Sequence, residues 1–115
     1  MTDLKSHVQE IAKTISEGIL VTAEEANEDY NEGDMLNPYD YLEGALDFRY
    51  LLNSKGELIE ARILVAFGGP NIWVHVDDHE NIEVVGQWWG ESARAYADGD
   101  PMGLFEAIKE LWECR

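Results

Sequence analysis

Five residues able to ligate a metal fall within six positions of this chain: His75, Asp77, Asp78, His79 and Glu80. Imidazole and carboxylate are ligand types that divalent transition ions accept. In an extended strand His75 and Asp77 point the same way, while the other three lie in a polar turn whose geometry is unspecified. A turn asks for polar residues in any case. His75, Asp77 and His79 are therefore weak candidate ligands, and neither a metal nor a cofactor is expected. A second pattern is part of a calcium loop, with Asp29, Asn31 and Asp40 at its first, third and last positions. The glycine that such a loop needs at its sixth position is replaced by Asp34. Gly68-Gly69-Pro70 separates two strand patterns and opens no helix, so it lacks the amides and dipole that cradle phosphate. His7, His75 and His79 are the only imidazoles, and none has an evident nucleophile. Cys114, the single cysteine, has no neighbour that would lower its pKa. These residues point away from an enzyme.

Carboxylates offer a different chemistry. The chain carries a formal charge of −16 on 115 residues. Between Lys13 and Arg49 there is no basic residue, and that gap contributes ten of the excess negative charges. Such a surface repels nucleic acid and anionic membrane, and it attracts basic partners at a rate that salt reduces. No direct nucleic-acid binding and no membrane partner are expected. The candidate binding residues are Glu17, Glu24, Glu25, Glu28, Asp29, Glu32 and Asp34, weighed against the ordinary role of acidic surfaces in solubility. Trp73, Trp88 and Trp89 form the other signal. Adjacent strand residues face opposite ways, so Trp88 and Trp89 are both buried only if both sheet faces are covered. Trp73 or Trp89 is otherwise a candidate anchor for a partner or a homo-oligomer, against the alternative of core packing.

The elements that would hold these groups follow from hydrophobic period. One domain, 1–115, is expected, with enough apolar content for its own core. Leu4, Val8, Ile11, Ile15, Ile19, Ala23, Ala26 and Tyr30 recur at helical steps, so 1–34 reads as an acidic amphipathic helical region. Gly18 interrupts it, and Thr22 with Glu25 forms a capping-box pattern. Two helices in register, or one helix kinked near Gly18, both fit. Either way Glu17, Glu24, Glu28 and Glu32 share an outer face, about 5–6 Å from their neighbours. Asn37-Pro38 ends the helical signal. Alternation over 45–97 then predicts an antiparallel sheet of about four strands in a meander, with 91–97 extending the fourth strand or making a fifth. A closing helix over 101–113 has Asp100 as N-cap, Pro101 at its first position and a buried stripe of Phe105, Ile108, Leu111 and Trp112. The fold class is α+β, with helices at both ends packed on the sheet. The start of the chain has no apolar signal core and no apolar run suited to a bilayer, so a cytoplasmic location is expected.

The segment Ile63-Leu-Val-Ala-Phe-Gly-Gly-Pro-Asn-Ile-Trp-Val74, followed by Trp88-Trp-Gly90, resembles a family of small uncharacterised proteins carried by phages and conjugative elements of Gram-positive bacteria. The resemblance runs from about Tyr39 to Ala97. It implies a genomic setting and no residue roles, and the Asp77-Asp78-His79 turn departs from the simpler turn of that family. In such a setting small acidic proteins resemble, as a class, anti-restriction and anti-CRISPR inhibitors that imitate DNA. Duplex DNA presents about one negative charge per 1.7 Å of axis, and rows of carboxylates can occupy a groove built for phosphates. The leading expectation is a binding module acting on a basic, nucleic-acid-handling protein. The alternatives are an assembly protein using an aromatic sheet surface and, least, a metal-dependent enzyme or sensor.

Overall fold

In the computed structural model, residues 3–115 are described. The order of elements is α1 (Leu4–Glu17), α2 (Pro38–Glu43), β1 (Asp47–Leu52), β2 (Leu58–Ala66), β3 (Asn71–Asp77), β4 (Ile82–Trp88), β5 (Glu91–Tyr96) and α3 (Leu104–Glu113). The strands form one antiparallel sheet in the order β1-β2-β3-β4-β5. The meander holds five strands where alternation predicts about four, because Trp89-Gly90 turns the chain back and lets Glu91–Tyr96 pair with β4. The α+β class and the helices at both ends stand.

Strand alternation divides the sheet into two unlike faces. Ala61, Ile63, Ile72, Val74, Val76, Ile82 and Val84 face the helices and make the core with Leu4, Val8, Ala12 and Ile15 of α1 and Leu104, Ala107 and Ile108 of α3. Phe48 and Tyr50 extend this packing, Tyr50 meeting the Trp112 ring edge-on at 4.9 Å. Gly86 is where α1 comes closest. A Cβ there would stand 2.6 Å from Val8 Cγ2 and 2.9 Å from Leu4 Cδ1. The N-terminal part of α1 therefore lies over the end of β4. Its C-terminal part lies by the end of β5, where the Asp98 amide donates to Ser16 Oγ at 2.7 Å.

Local chemistry corrects the reading of the helices. The helical region expected over 1–34 stops at Glu17, where Gly18 takes a φ of 86° and closes α1. Residues 19–36 form a loop tied at its base by the Leu20–Met35 bridge. Continued as a helix, this stretch would set Glu24 against Glu28, Glu28 against Glu32 and Glu25 against Asp29. Each such like-charged pair costs a few tenths of a kcal/mol, with no base to relieve it. The capping-box pair does form a contact, both the amide and the hydroxyl of Thr22 donating to the Glu25 carboxylate, yet it closes only a turn. Asn37-Pro38, expected as a stop, opens α2 instead. The Asn37 side chain accepts from the Asp40 amide, and Pro38 takes a first-turn position. The N-cap of α3 is Gly103 rather than Asp100, and the helix begins after it rather than at Pro101, although the Asp100 carboxylate still accepts from the amides of Leu104 and Phe105. Its buried stripe is rotated accordingly: Leu104, Ala107 and Ile108 are buried and Leu111 is exposed.

Candidate functional site

All seven candidate carboxylates are exposed, Glu17 at the end of α1 and the other six on loop 21–34. They do not share a helical face. The loop is closed at its neck, where the Val21 amide donates to the Asp34 carbonyl and the Gly33 amide to the Val21 carbonyl. Inside it the Asn27 side chain accepts from the amides of Asp29 and Tyr30, and the Asp34 carboxylate accepts from the Asn31 amide. Tyr30 anchors the far side, its hydroxyl donating to Asp40 and accepting from the Asn37 amide. These bonds are short-range turns that Asn and Asp make readily. They hold Glu24, Glu28, Asp29 and Glu32 outward on a shaped loop. Glu25 is held below the ordinary carboxylate range by the Thr22 amide and hydroxyl, so it stays ionised.

No helix packs on the second face of the sheet among the described residues. This face carries Asp47 and Arg49 on β1, Glu60, Arg62 and Leu64 on β2, Trp73, His75 and Asp77 on β3, Glu83 and Val85 on β4, and Arg94 and Tyr96 on β5. Arg49 pairs with Asp47 at 2.7 Å, Arg62 with Glu60 at 2.6 Å and Arg94 with Glu83 at 3.6 Å. Four acids against three arginines leave this face near neutral, so nearly all the excess charge lies elsewhere. Its arginines also shield apolar groups. The Arg49 guanidinium stands 5.4 Å from the Trp73 ring, and Leu64 and Val85 are buried in spite of facing away from the helices.

The three histidine-loop candidates are not brought together. His75 is half-buried on the helix-free face, 3.9 Å from Glu60. Burial holds its pKa below the usual imidazole value, and the positive charges of Arg62 and Arg94 act in the same direction. The Glu60 and Glu83 carboxylates oppose that shift without overcoming it, so the 3.9 Å contact joins a neutral ring to a carboxylate at pH 7. Asp77 caps the β3–β4 turn, accepting from the amides of His79 and Asn81. Burial raises its pKa, but the bonds from Asn81 and His79 outweigh this and hold it low. His79 is exposed beside Asp78. Among the described residues no three His, Cys, Asp or Glu side chains could hold a metal ion together.

The strand rule does not reach Trp89, because β4 ends at Trp88. Trp88 packs against the core, Trp73 is half-buried under Arg49, and Trp89 stands out in the β4–β5 turn at 87% exposure. Its companions at that end of the sheet, Phe67 and Leu46, are exposed as well and carry no sequence signal of an outward position. Gly68 follows Phe67 with a φ of 97°, and a register shift near Ala66 turns Phe67 outward. Two hollows with apolar floors border the helices. One, of about 450 Å³, lies between α3 and the ends of β2 and β3, with Leu58, Val76, Ile108 and Trp112 on its floor. The other, of about 580 Å³, lies beside α1 among Ile11, Ile19, Leu36, Tyr41 and Val65. Among the described residues no histidine hydrogen-bonds a hydroxyl or thiol. No helix is long and apolar enough to cross a membrane among the described residues.

What these parts define is an α+β meander domain with one acidic loop, one near-neutral ion-paired face and one aromatic end. Set beside known proteins, the chain matches no family model, no curated protein and no solved structure.

Proposed function

We propose that the protein is a non-catalytic binding module whose loop 21–34, with Glu17 beside it, engages the basic surface of a nucleic-acid-handling partner in place of phosphates. The observation that carries this reading is the loop itself: six carboxylates and no base on a segment closed and braced by hydrogen bonds. A solubilising surface needs charge but no shape. A phosphate surrogate needs charges held in place, because ordering a limp acidic tail on binding would offset much of the electrostatic gain. Carriage on a phage or conjugative element, with a host restriction or CRISPR nuclease as the partner, belongs to the same proposal.

The test is capture from host lysate at about 0.05 M and about 0.5 M salt, followed by competition with duplex DNA. A nucleic-acid enzyme held at low salt and released by DNA is the expected result. The triple variant Glu24→Lys, Glu28→Lys, Glu32→Lys is expected to weaken that complex at least a hundredfold, each reversed contact near a basic surface being worth roughly 1 kcal/mol or more, while its unfolding midpoint stays at or above that of the parent because self-repulsion falls. A complex indifferent to these reversals would reduce the loop to a solubilising surface.

A further inference from the structure

We propose that the protein self-associates through the Trp89 end of its sheet, two copies meeting tip to tip. At that end β4 turns into β5 through Trp89 and Gly90 alone, with Trp88 paired to Glu91. Both turn residues have positive φ, 53° and 79°. That is the pattern of a type I′ turn, whose first position ordinarily holds Asn, Asp or Gly. A bulky aromatic residue in the left-handed region is a conformational outlier. The fold takes no packing from the indole in exchange, since Trp89 is 87% exposed. Phe67 in the β2–β3 turn is 73% exposed, and Leu46 just ahead of β1 is 63% exposed. Antiparallel pairing brings all three to the same end of the sheet. Asn71 lies between the aromatic groups, bordering both the hollow beside Phe67 and that beside Trp89. Nothing in the folding of the chain requires these exposures.

Charge selects the occupant. No charged residue occurs over 63–74 or 84–90, so both turns at this end are neutral, whereas the turns at the other end hold Lys55, Asp78 and Glu80. The acidic loop departs at Gly18, beside Pro101. That is the far end of α1 from the Gly86 contact, about 20 Å away at 1.5 Å per residue. A second copy carries the same sixteen negative charges, and its approach is opposed wherever the surface is acidic. Tip-to-tip contact pairs identical surfaces with uncharged turns, bordered by Glu91 and the Asp47–Arg49 ion pair, and leaves the bases of both acidic loops on the outer sides. A basic partner, by contrast, finds only Glu91 and the already paired Asp47 beside the tip. Three exposed side chains present on the order of 400–500 Å² of apolar surface per copy. A stable interface uses about 800 Å² per partner, so the dimer is a weak one, forming at roughly 10–500 µM.

The inference stands apart from the acidic-loop reading, and salt separates the two. Sedimentation is followed from about 10 µM to about 1 mM at low and high salt, where screening lengths are roughly 15 and 4 Å. The expected mass rises toward a dimer with concentration, and more so at high salt, opposite to the salt response of a complex made through the loop. Trp89→Asn is expected to weaken self-association at least tenfold. At about 1 µM, below the range in which the dimer forms, it should raise the Tm by roughly 3–6 °C, because Asn suits the left-handed backbone. Phe67→Ser weakens association likewise, and the triple lysine variant of the loop retains it. A monomer at every concentration and salt overturns the proposal, as does a dimer undiminished by both tip variants. A lowered Tm in Trp89→Asn would make the indole structural and overturn it too, and so would a tip that captures a different protein while the parent stays monomeric.

Discussion

His75 is the titratable side chain whose surroundings bear most directly on stability near neutral pH. It faces Glu60, Arg62, Glu83 and Arg94 on the helix-free side of the sheet, and burial leads the lowering of its pKa. The unfolded chain takes up its proton near pH 6.5, where the folded chain still refuses it. Stability is therefore lost as pH falls below 6.5, and the loss levels off once pH is below the folded value. Replacing His75 by Gln removes this contribution. The expected outcome is a flatter dependence of the urea midpoint between pH 6.5 and 5 in the variant than in the parent, measured in one buffer series. Asp77 shows the complementary case. Its bonds from Asn81 and His79 hold its pKa low, so its contribution is present above the usual carboxylate value and lost as pH falls through the depressed one. A cluster of ligating residue types in the sequence thus becomes one half-buried ring, one turn cap and one exposed ring. Strand alternation places His75 correctly, but turn bonding, which periodicity does not report, decides the fate of Asp77.

At the scale of elements, the contact of α1 with β4 depends on one missing methyl group. A Cβ on Gly86 would meet Val8 Cγ2 at 2.6 Å and Leu4 Cδ1 at 2.9 Å. Val8 is fully buried and stiff at χ1, so it cannot yield cheaply. Gly86→Ala is expected to destabilise by about 1–3 kcal/mol in urea unfolding. The double variant Gly86→Ala, Val8→Ala should recover part of that loss, a coupling of at least about 0.5 kcal/mol. An isolated glycine in an otherwise ordinary strand pattern signals a bulge or a close approach, but the sequence does not say that Leu4 and Val8 are what approach it. Loop 21–34 shows the opposite lesson. Its apolar residues keep a helical period, yet the carboxylates spaced four apart and the turn-forming Asn27 and Asn31 override it. The repulsion that made a helical face attractive as a phosphate surrogate is what prevents that helix.

The whole molecule is a charge-segregated body, with its acidic loop leaving one end of α1 and its uncharged aromatic turns lying at the other. Self-repulsion among sixteen excess charges opposes the compact state. Raising salt from about 0.02 M to about 0.3 M shortens the screening length from roughly 20 Å to below 10 Å. At a dilution where the protein is monomeric, the Tm is expected to rise by several degrees over that range, roughly 3–6 °C for each kcal/mol of relieved repulsion. A Tm indifferent to salt would mean that the acidic loop already spreads its charges far enough apart. The near-neutral helix-free face fits the same pattern, since its arginines are spent on Asp47, Glu60 and Glu83 within their own or neighbouring strands.

The fold class, the meander and the two terminal helices were legible in the residues, because helical and strand periods are local properties of side-chain order. The separation of Trp88 from Trp89 was not, because the pleat rule assumes both in one strand and Trp89 stands instead in a left-handed turn position. The end of α1 at Glu17, the extra helix opened by Asn37 and Pro38, and the outward turn of Phe67 were decided by competition between local bonds and packing. Only the tertiary structure determines which sheet face the helices cover. It likewise determines that Phe67, Leu46 and Trp89 gather at one end with uncharged turns, away from the loop's departure at Gly18. Pairing of distant strands creates those neighbourhoods, and no window of the sequence contains them.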